Sequence, residues 1–319
     1  MTLSTFRNNN GFRHFCTLLA AACSILALAA VAGAAPAQAR QKRFATPEEA
    51  VTSLVAATRD NDEKALVTIL GPASSALVTS GDPVKDKADR ERFVALFEEQ
   101  HRIERSGSAR ALLHIGGKDY PLPIPIVKKG TAWVFDAKAG KEEILNRRIG
   151  KNELAVIEIL HAYLDAQREY AAKDRNGDGA LEFAPKILST PGKHDGLYWE
   201  AKEGEEASPL GPLIARAATE GYASANAGDT APYHGYYFRI LKSQGKDAVG
   251  GAYDYIINGK MVLGFGLLAY PAAYGSSGIM TFIVNQGGVV YQKNLGKNTA
   301  KAAAAMTHFN PDQSWKKVE

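Results

Sequence analysis

Residues 152–173 read NELAVIEILHAYLDAQREYAAK, and this run decides the architecture. Leu154, Val156, Ile157, Leu160, Tyr163, Leu164 and Tyr170 recur at the three- and four-residue spacing of one broad apolar helical face. Asn152 is suited to cap the start of this helix, and Gly150 is expected to break the one before it. A helix with one apolar face needs a cover. The chain that follows supplies one: extended runs at Tyr233–Leu241, Ala252–Ile257, Met261–Tyr270, Gly278–Val284 and Val289–Asn294, with turns at Asn258-Gly259 and Gln286-Gly287-Gly288. Shorter helices are expected at Pro209–Tyr222 and Thr299–Met306. The reading is a long helix packed on an antiparallel meander.

Upstream, Thr46-Pro47-Glu48-Glu49 is a helix start: hydroxyl cap, Pro at the first position, acids in the first turn. A second helix follows Asn61 or Asp62 and stops at Gly71-Pro72, residues 80–88 read as loop, and Asp89–Glu104 reads as a third helix. The period then changes to extended runs at Ala109–Ile115, Tyr120–Val127 and Thr131–Phe135, before a helix over Lys138–Arg148. Pro121, Pro123 and Pro125 leave at most one edge of the middle run paired. The expected fold class is therefore α+β in two domains: residues 40–149, with helices and a small sheet, and residues 150–319, with the long helix and the meander. Residues 40–45 are expected to form a flexible lead with Arg40, Lys42 and Arg43 solvated.

Residues 1–39 have the layout of a cleavable signal peptide: Arg7 and Arg13, an apolar run from Phe15 to Ala34, and Ala37-Gln38-Ala39 with small-x-small spacing. A periplasmic or secreted protein follows, with no stable membrane insertion after cleavage. Both cysteines, Cys16 and Cys23, lie in this segment, so the processed chain would hold no disulfide and no thiolate chemistry. Lipidation at Cys23 is the rival, and Ala20-Ala21-Ala22 fits its recognition poorly. The whole chain carries 38 basic and 34 acidic residues; without the two arginines of the signal, 36 against 34 leaves +2. Such a balance gives no field for recruiting nucleic acid.

Four words give the chain a family look: Asp195-Gly-Leu-Tyr-Trp199, Tyr233-His-Gly-Tyr-Tyr-Phe-Arg-Ile-Leu241, Gly264-Phe-Gly-Leu-Leu-Ala-Tyr-Pro271 and Tyr274-Gly-Ser-Ser-Gly278. Together they resemble an exported bacterial family known as domain of unknown function 2950. The resemblance implies export and carries no activity. The second half is also similar to a pseudopilin globular domain, through Tyr236/Phe238, Ala269/Pro271, Tyr274-Gly275/Gly278 and Phe282/Gly288/Val290. The first half resembles the opening of a cystatin-like or nuclear-transport-factor-like (NTF2-like) fold.

Among candidate sites, Asp174, Asn176, Asp178 and Glu182 match the first ligand positions of a calcium loop, with Gly179 at the turn. Pro185 stands where a bidentate carboxylate belongs, so at most weak calcium binding is expected; an Asx turn closing the long helix is the alternative. No other cofactor is expected. Tyr198, Trp199, Tyr233, His234, Tyr236 and Tyr274 form the expected binding set, on the premise that one sheet face leaves an aromatic surface open. Ser276-Ser277 reads as turn rather than nucleophile elbow, because strands flank it. The leading functional expectation is a non-enzymatic envelope module that binds a protein or polymer. The alternative is a periplasmic hydrolase using His194, Asp195 and His234.

Overall fold

The computed structural model describes residues 40–175, 177, 179–222 and 231–318. The signal-peptide reading, with Cys16, Cys23 and the Ala37–Ala39 site, lies outside these residues. The fold is α+β, as the two sequence periods imply.

The first half begins with α1 (Pro47–Arg59), α2 (Glu63–Leu70) and α3 (Ser75–Val78). Thr46 and Asp62 cap α1 and α2 by accepting the Glu49 and Ala65 amides. Next comes α4 (Pro83–Glu99), which starts six residues earlier than the apolar pattern suggests. Asp82 caps it by accepting the Lys85 amide, and Pro83 fills the first helical position. The expected helical end to Glu104 is instead β1 (His101–Ser106), which pairs antiparallel with β2 (Arg110–Ile115) from His101↔Ile115 to Ser106↔Arg110. This edge strand is exposed apart from half-buried Ile103, so it shows no apolar alternation to read. β3 (Tyr120–Pro121), β4 (Ile126–Lys129) and β5 (Ala132–Phe135) complete the sheet in the order β1-β2-β4-β5, with β3 on β2. The prolines confine β3 to two residues.

The lead is docked rather than flexible. Gln41 Nε2 donates to the Ile69, Leu70 and Phe135 carbonyls. Phe44 exchanges both backbone hydrogen bonds with Trp133 and is buried. Val51, Leu54, Leu66, Ile69, Leu113, Ile126 and Phe135 join it in one core.

From Ala137 to Ala171 the chain is a single helix, α5, of 35 residues. At 1.5 Å per residue it is about 52 Å long. Gly150 does not break it. Glycine in a helix costs about 1 kcal/mol against alanine, less than the anchoring on either side. Ile149 and Asn152 are buried, and Asn152 donates to the Ser277 carbonyl instead of capping anything. The expected boundary at 149/150 thus falls inside a helix that both halves share. The described residues belong to one compact unit.

The second half adds α6 (Gly211–Thr219), then β6 (Tyr236–Leu241), β7 (Ser243–Gln244), β8 (Tyr253–Asp254), β9 (Ile256–Ile257), β10 (Lys260–Met261), β11 (Gly266–Pro271), β12 (Met280–Asn285), β13 (Tyr291–Asn294), α7 (Thr299–Ala305) and β14 (Lys316–Lys317). The main sheet runs β14-β13-β12-β11-β6. β6 pairs directly with β11, so residues 243–261 leave the meander as two short ladders, β7–β8 and β9–β10. One sheet face packs Tyr236, Phe238, Leu267, Ala269 and Phe282 against Val156, Leu160, Tyr163 and Leu164 of α5. The other packs Leu268 and Ile283 under α7 and the tail, with Ala303, Phe309 and Trp315. The open aromatic face expected from the sequence is therefore covered. Arg239 donates to the Ala303 and Met306 carbonyls and ties α7 down.

Where the halves meet, the contacts are polar. Arg148 of α5 donates to the Ala76 and Leu77 carbonyls at 2.8 and 2.7 Å. Ser276 donates to Ala76 and Thr79. Asp82, fully buried, accepts from the Tyr222 hydroxyl at 2.7 Å and the Gly235 amide at 2.8 Å. Gly235 has φ of 77°, and a Cβ there would lie 2.8 Å from Asn152 Nδ2 and 2.9 Å from Ser277 Cβ. Only glycine fits both the conformation and the space. No described helix is long and apolar enough to cross a membrane.

Candidate functional site

Beyond α5 the chain makes a loop held by its own backbone. Gln167 of α5, fully buried, pins it by donating to the Ala184 carbonyl and accepting the Ala184 amide. Residues 186–189 then pair with 197–198, through Leu197 N to Lys186 O and Tyr198 N to Ile187 O. Asp195 closes the intervening loop, accepting from the Thr190 amide at 2.7 Å, the Thr190 hydroxyl at 2.9 Å and Lys186 Nζ at 2.8 Å. Burial alone would raise this carboxyl, but the bonds from Lys186 and Thr190 outweigh it and hold it at about 2. Gly196 follows because a Cβ would sit 2.8 Å from the Leu188 and Ser189 backbone. Most of the word Asp195–Trp199 is thus read as structure: a loop clamp, a close approach and the buried Leu197.

Trp199 is the exception. Its indole is buried, with Nε1 donating to the Glu206 carbonyl at 3.0 Å. The exposed His194 ring stacks on it at 4.2 Å and 19°. The Arg175 guanidinium lies 5.5 Å from the Trp199 ring and 5.5 Å from that of Tyr170. Arg175 also pairs with Glu206 at 2.8 Å, and Lys173 pairs with the same carboxylate. Those partners, Lys173 first, lower the Glu206 carboxyl. Tyr170 donates to the His194 carbonyl at 2.7 Å, and burial pushes its hydroxyl up to about 12. The long helix therefore fixes this corner from below. Above it opens a cleft of about 840 Å³ whose walls include Thr190, Lys193, His194, Tyr198, Trp199 and Lys202. The size suits a ligand of ordinary small-molecule dimensions or a polymer segment. Half-buried Tyr198 and exposed His194, Lys193 and Lys202 offer it ring faces and charge.

The other expected binding residues do not line this cleft. Tyr233 and His234 form a second group, their rings 4.3 Å apart, with Tyr222 beside both. His234 has a left-handed backbone, φ 49°, and its Nε2 lies 3.1 Å from Glu220. Burial lowers its pKa, with Glu220 opposing that effect. Tyr236 is fully buried under the sheet, its hydroxyl donating to the Met280 carbonyl; it is core. Tyr274 donates to Asn294 at a strand end. The hydrolase trio is likewise divided: His194 stacks on Trp199, Asp195 is occupied by Lys186 and Thr190, and His234 faces Glu220.

In the calcium-like loop, Asp174 accepts the Gly177 and Gly179 amides, both at 2.8 Å, which is Asx-turn geometry. Asn176 and Asp178 lie outside the described residues. Among the described residues no group of three His, Cys, Asp or Glu side chains is arranged to hold a metal.

Sequence reasoning overlooked Arg175 and Asp82. Arg175 sits inside the calcium-like motif, whose carboxylates draw the eye; its signal was an arginine next to a helix end with aromatics either side in sequence. Asp82 carried a plain signal, Asp followed by Pro, the pairing of cap and first helical position.

No curated protein matches the chain, and no solved structure does either, so the pseudopilin and cystatin-like or NTF2-like comparisons gain no support. A family model does match, over residues 41–318, nearly everything described above. The chain belongs to the family of proteins of unknown function designated DUF2950.

Proposed function

We propose that the protein is exported and acts in the periplasm or outside the cell as a non-enzymatic binding module, holding an envelope protein or polymer in the cleft beside Trp199. The observation that carries this reading is how Trp199 is held within the protein: stacked by His194, overlain by Arg175 and hydrogen-bonded through its indole nitrogen. A side chain already ordered loses little entropy on binding, which favours recognition. Asp195, the one acid of the expected trio in this loop, is held by three donors and is poorly placed to act as a base. In this reading calcium is at most a weakly held ion at the Asp174–Glu182 loop.

The test is capture from the native envelope with the exported protein, whose N-terminal sequence should begin at Arg40. Tyr198→Ala and His194→Ala are expected to lower recovery of the captured partner at least tenfold while leaving the melting temperature within about 2 °C. Undiminished capture by both variants would remove the cleft from the account. Loss of a hydrolytic activity on envelope material in His194→Ala would replace binding with catalysis.

A further inference from the structure

The first half contains a pocket of about 250 Å³, separate from the cleft. Leu54 of α1, Leu66 of α2, Leu77 of α3, Phe93 of α4, Ile124 from the loop between β3 and β4, and Ile144 of α5 make its walls predominantly apolar. Its rim carries Asp86, Asp89, Arg90 and Arg148, and exposed Asp89 marks where it meets solvent.

We propose that this pocket binds a small, uncharged, largely apolar molecule. The charged side chains around the pocket are already engaged within the protein. Lys85 holds Asp89 at 2.6 Å. Arg90 is taken by Asn61, by Glu63 at 3.0 Å and by the Val78 carbonyl. Arg148 is turned onto the Ala76 and Leu77 carbonyls and Ser276. Asp86 accepts the Ser80 amide at 2.8 Å. Two acids and two bases line the pocket, and each already has a partner in the protein. A charged ligand would lose its hydration among two acids and two bases whose charges offset one another, whereas an apolar one gains by burial alone. Size follows from volume: an apolar cavity of roughly 150 Å³ accepts benzene, so 250 Å³ corresponds to about ten carbon atoms, a fused pair of rings or a terpenoid fragment.

The experiment uses three probes that share one ring system: neutral 1-naphthylamine, anionic 1-naphthoate and cationic 1-naphthylmethylammonium, each titrated into the exported protein by calorimetry at neutral pH. The neutral probe should bind saturably, one per chain, at least tenfold more tightly than either charged relative. Ile144→Trp and Leu77→Trp place an indole in the pocket and should each weaken that binding at least tenfold; two variants are used so that one misfolded protein leaves the other to read. Tyr198→Ala, in the cleft, should leave it unchanged. Failure of the neutral probe to bind, equal binding of a charged probe, or full binding by a folded, filled variant would each overturn the proposal.

Discussion

The joint between the halves and the cleft beside Trp199 are made of the same residue types, and the two regions use them differently. In the joint, Asp82 is fully buried and its oxygens meet a helix N-terminus, a tyrosine hydroxyl and the Gly235 amide. Beside the cleft, Asp195 is about a third exposed and fastens a loop to itself, leaving His194 exposed and Tyr198 half-buried in the cleft wall. An acid, a tyrosine, a histidine and a glycine within a few residues of one another therefore do not mark a functional site. What separates the regions is whether the polar groups are exhausted by the backbone around them.

The largest effect should come from cutting beneath both regions. Leu160 is fully buried between α5 and the sheet. Leu160→Asp puts a carboxylate there with no partner, at a cost of about 4 kcal/mol or more. Because α5 is shared by both cores, the whole fold should lose its near-ultraviolet circular dichroism together; a wild-type melting profile would mean that α5 does not support the cleft as described. Next comes the joint itself. Asp82→Ala removes a helix cap and strands the Tyr222 hydroxyl and Gly235 amide, for about 3 kcal/mol. Calorimetric melting should fall by roughly 5 °C for a chain of this size. Asp195→Ala, in the open loop, should cost under half as much, and parity between the two would erase the contrast.

The smallest effect concerns pH. Burial, first, and the charges of Arg216 and Lys85 lower the His234 pKa below the ordinary 6.5, against the opposing effect of Glu220 and Asp82. Below that value the unfolded chain takes up the proton more readily than the folded one, so this contribution to stability is complete above about pH 6.5 and is lost as the pH falls. Asp195 acts in a lower range: its depressed carboxyl contributes fully above the ordinary 3.8 and loses that contribution as the pH falls from there through about 2. Melting curves between pH 7.5 and 5 should therefore fall less steeply for His234→Gln than for the wild type. Parallel slopes would mean that His234 is free to ionise where it stands.

The long helix and its cover were legible because apolar periodicity is a local signal: Val156, Leu160, Tyr163 and Leu164 lie on the core side as their spacing requires. Gly150 misled because propensity is worth about 1 kcal/mol and tertiary anchoring exceeds it. β1 was invisible because its partner alone makes it a strand; its own residues are polar and mostly exposed. The aromatic surface was overestimated because period-two alternation says that a sheet has two faces, and nothing about what lies on the second. Here Phe309 and Trp315, far along the chain, come back to cover it. At the cleft, Tyr198 and Trp199, adjacent in sequence, both lie in the wall. Their separation from Tyr233, Tyr236 and Tyr274 depends on long-range packing, which spacing does not encode.

The unbroken run of α5 past Gly150 also bears on how the molecule comes apart. Its first turns belong to the core around Trp133 and its last to the core around Tyr163. A partially denatured species with one half intact would have to fray this helix mid-length and expose Asn152 and Glu153, whose partners lie at residues 277–280. Unfolding should accordingly be a single cooperative event. Backbone amides on both sides of Gly150 should then exchange with solvent deuterium at one common, slow rate set by global opening.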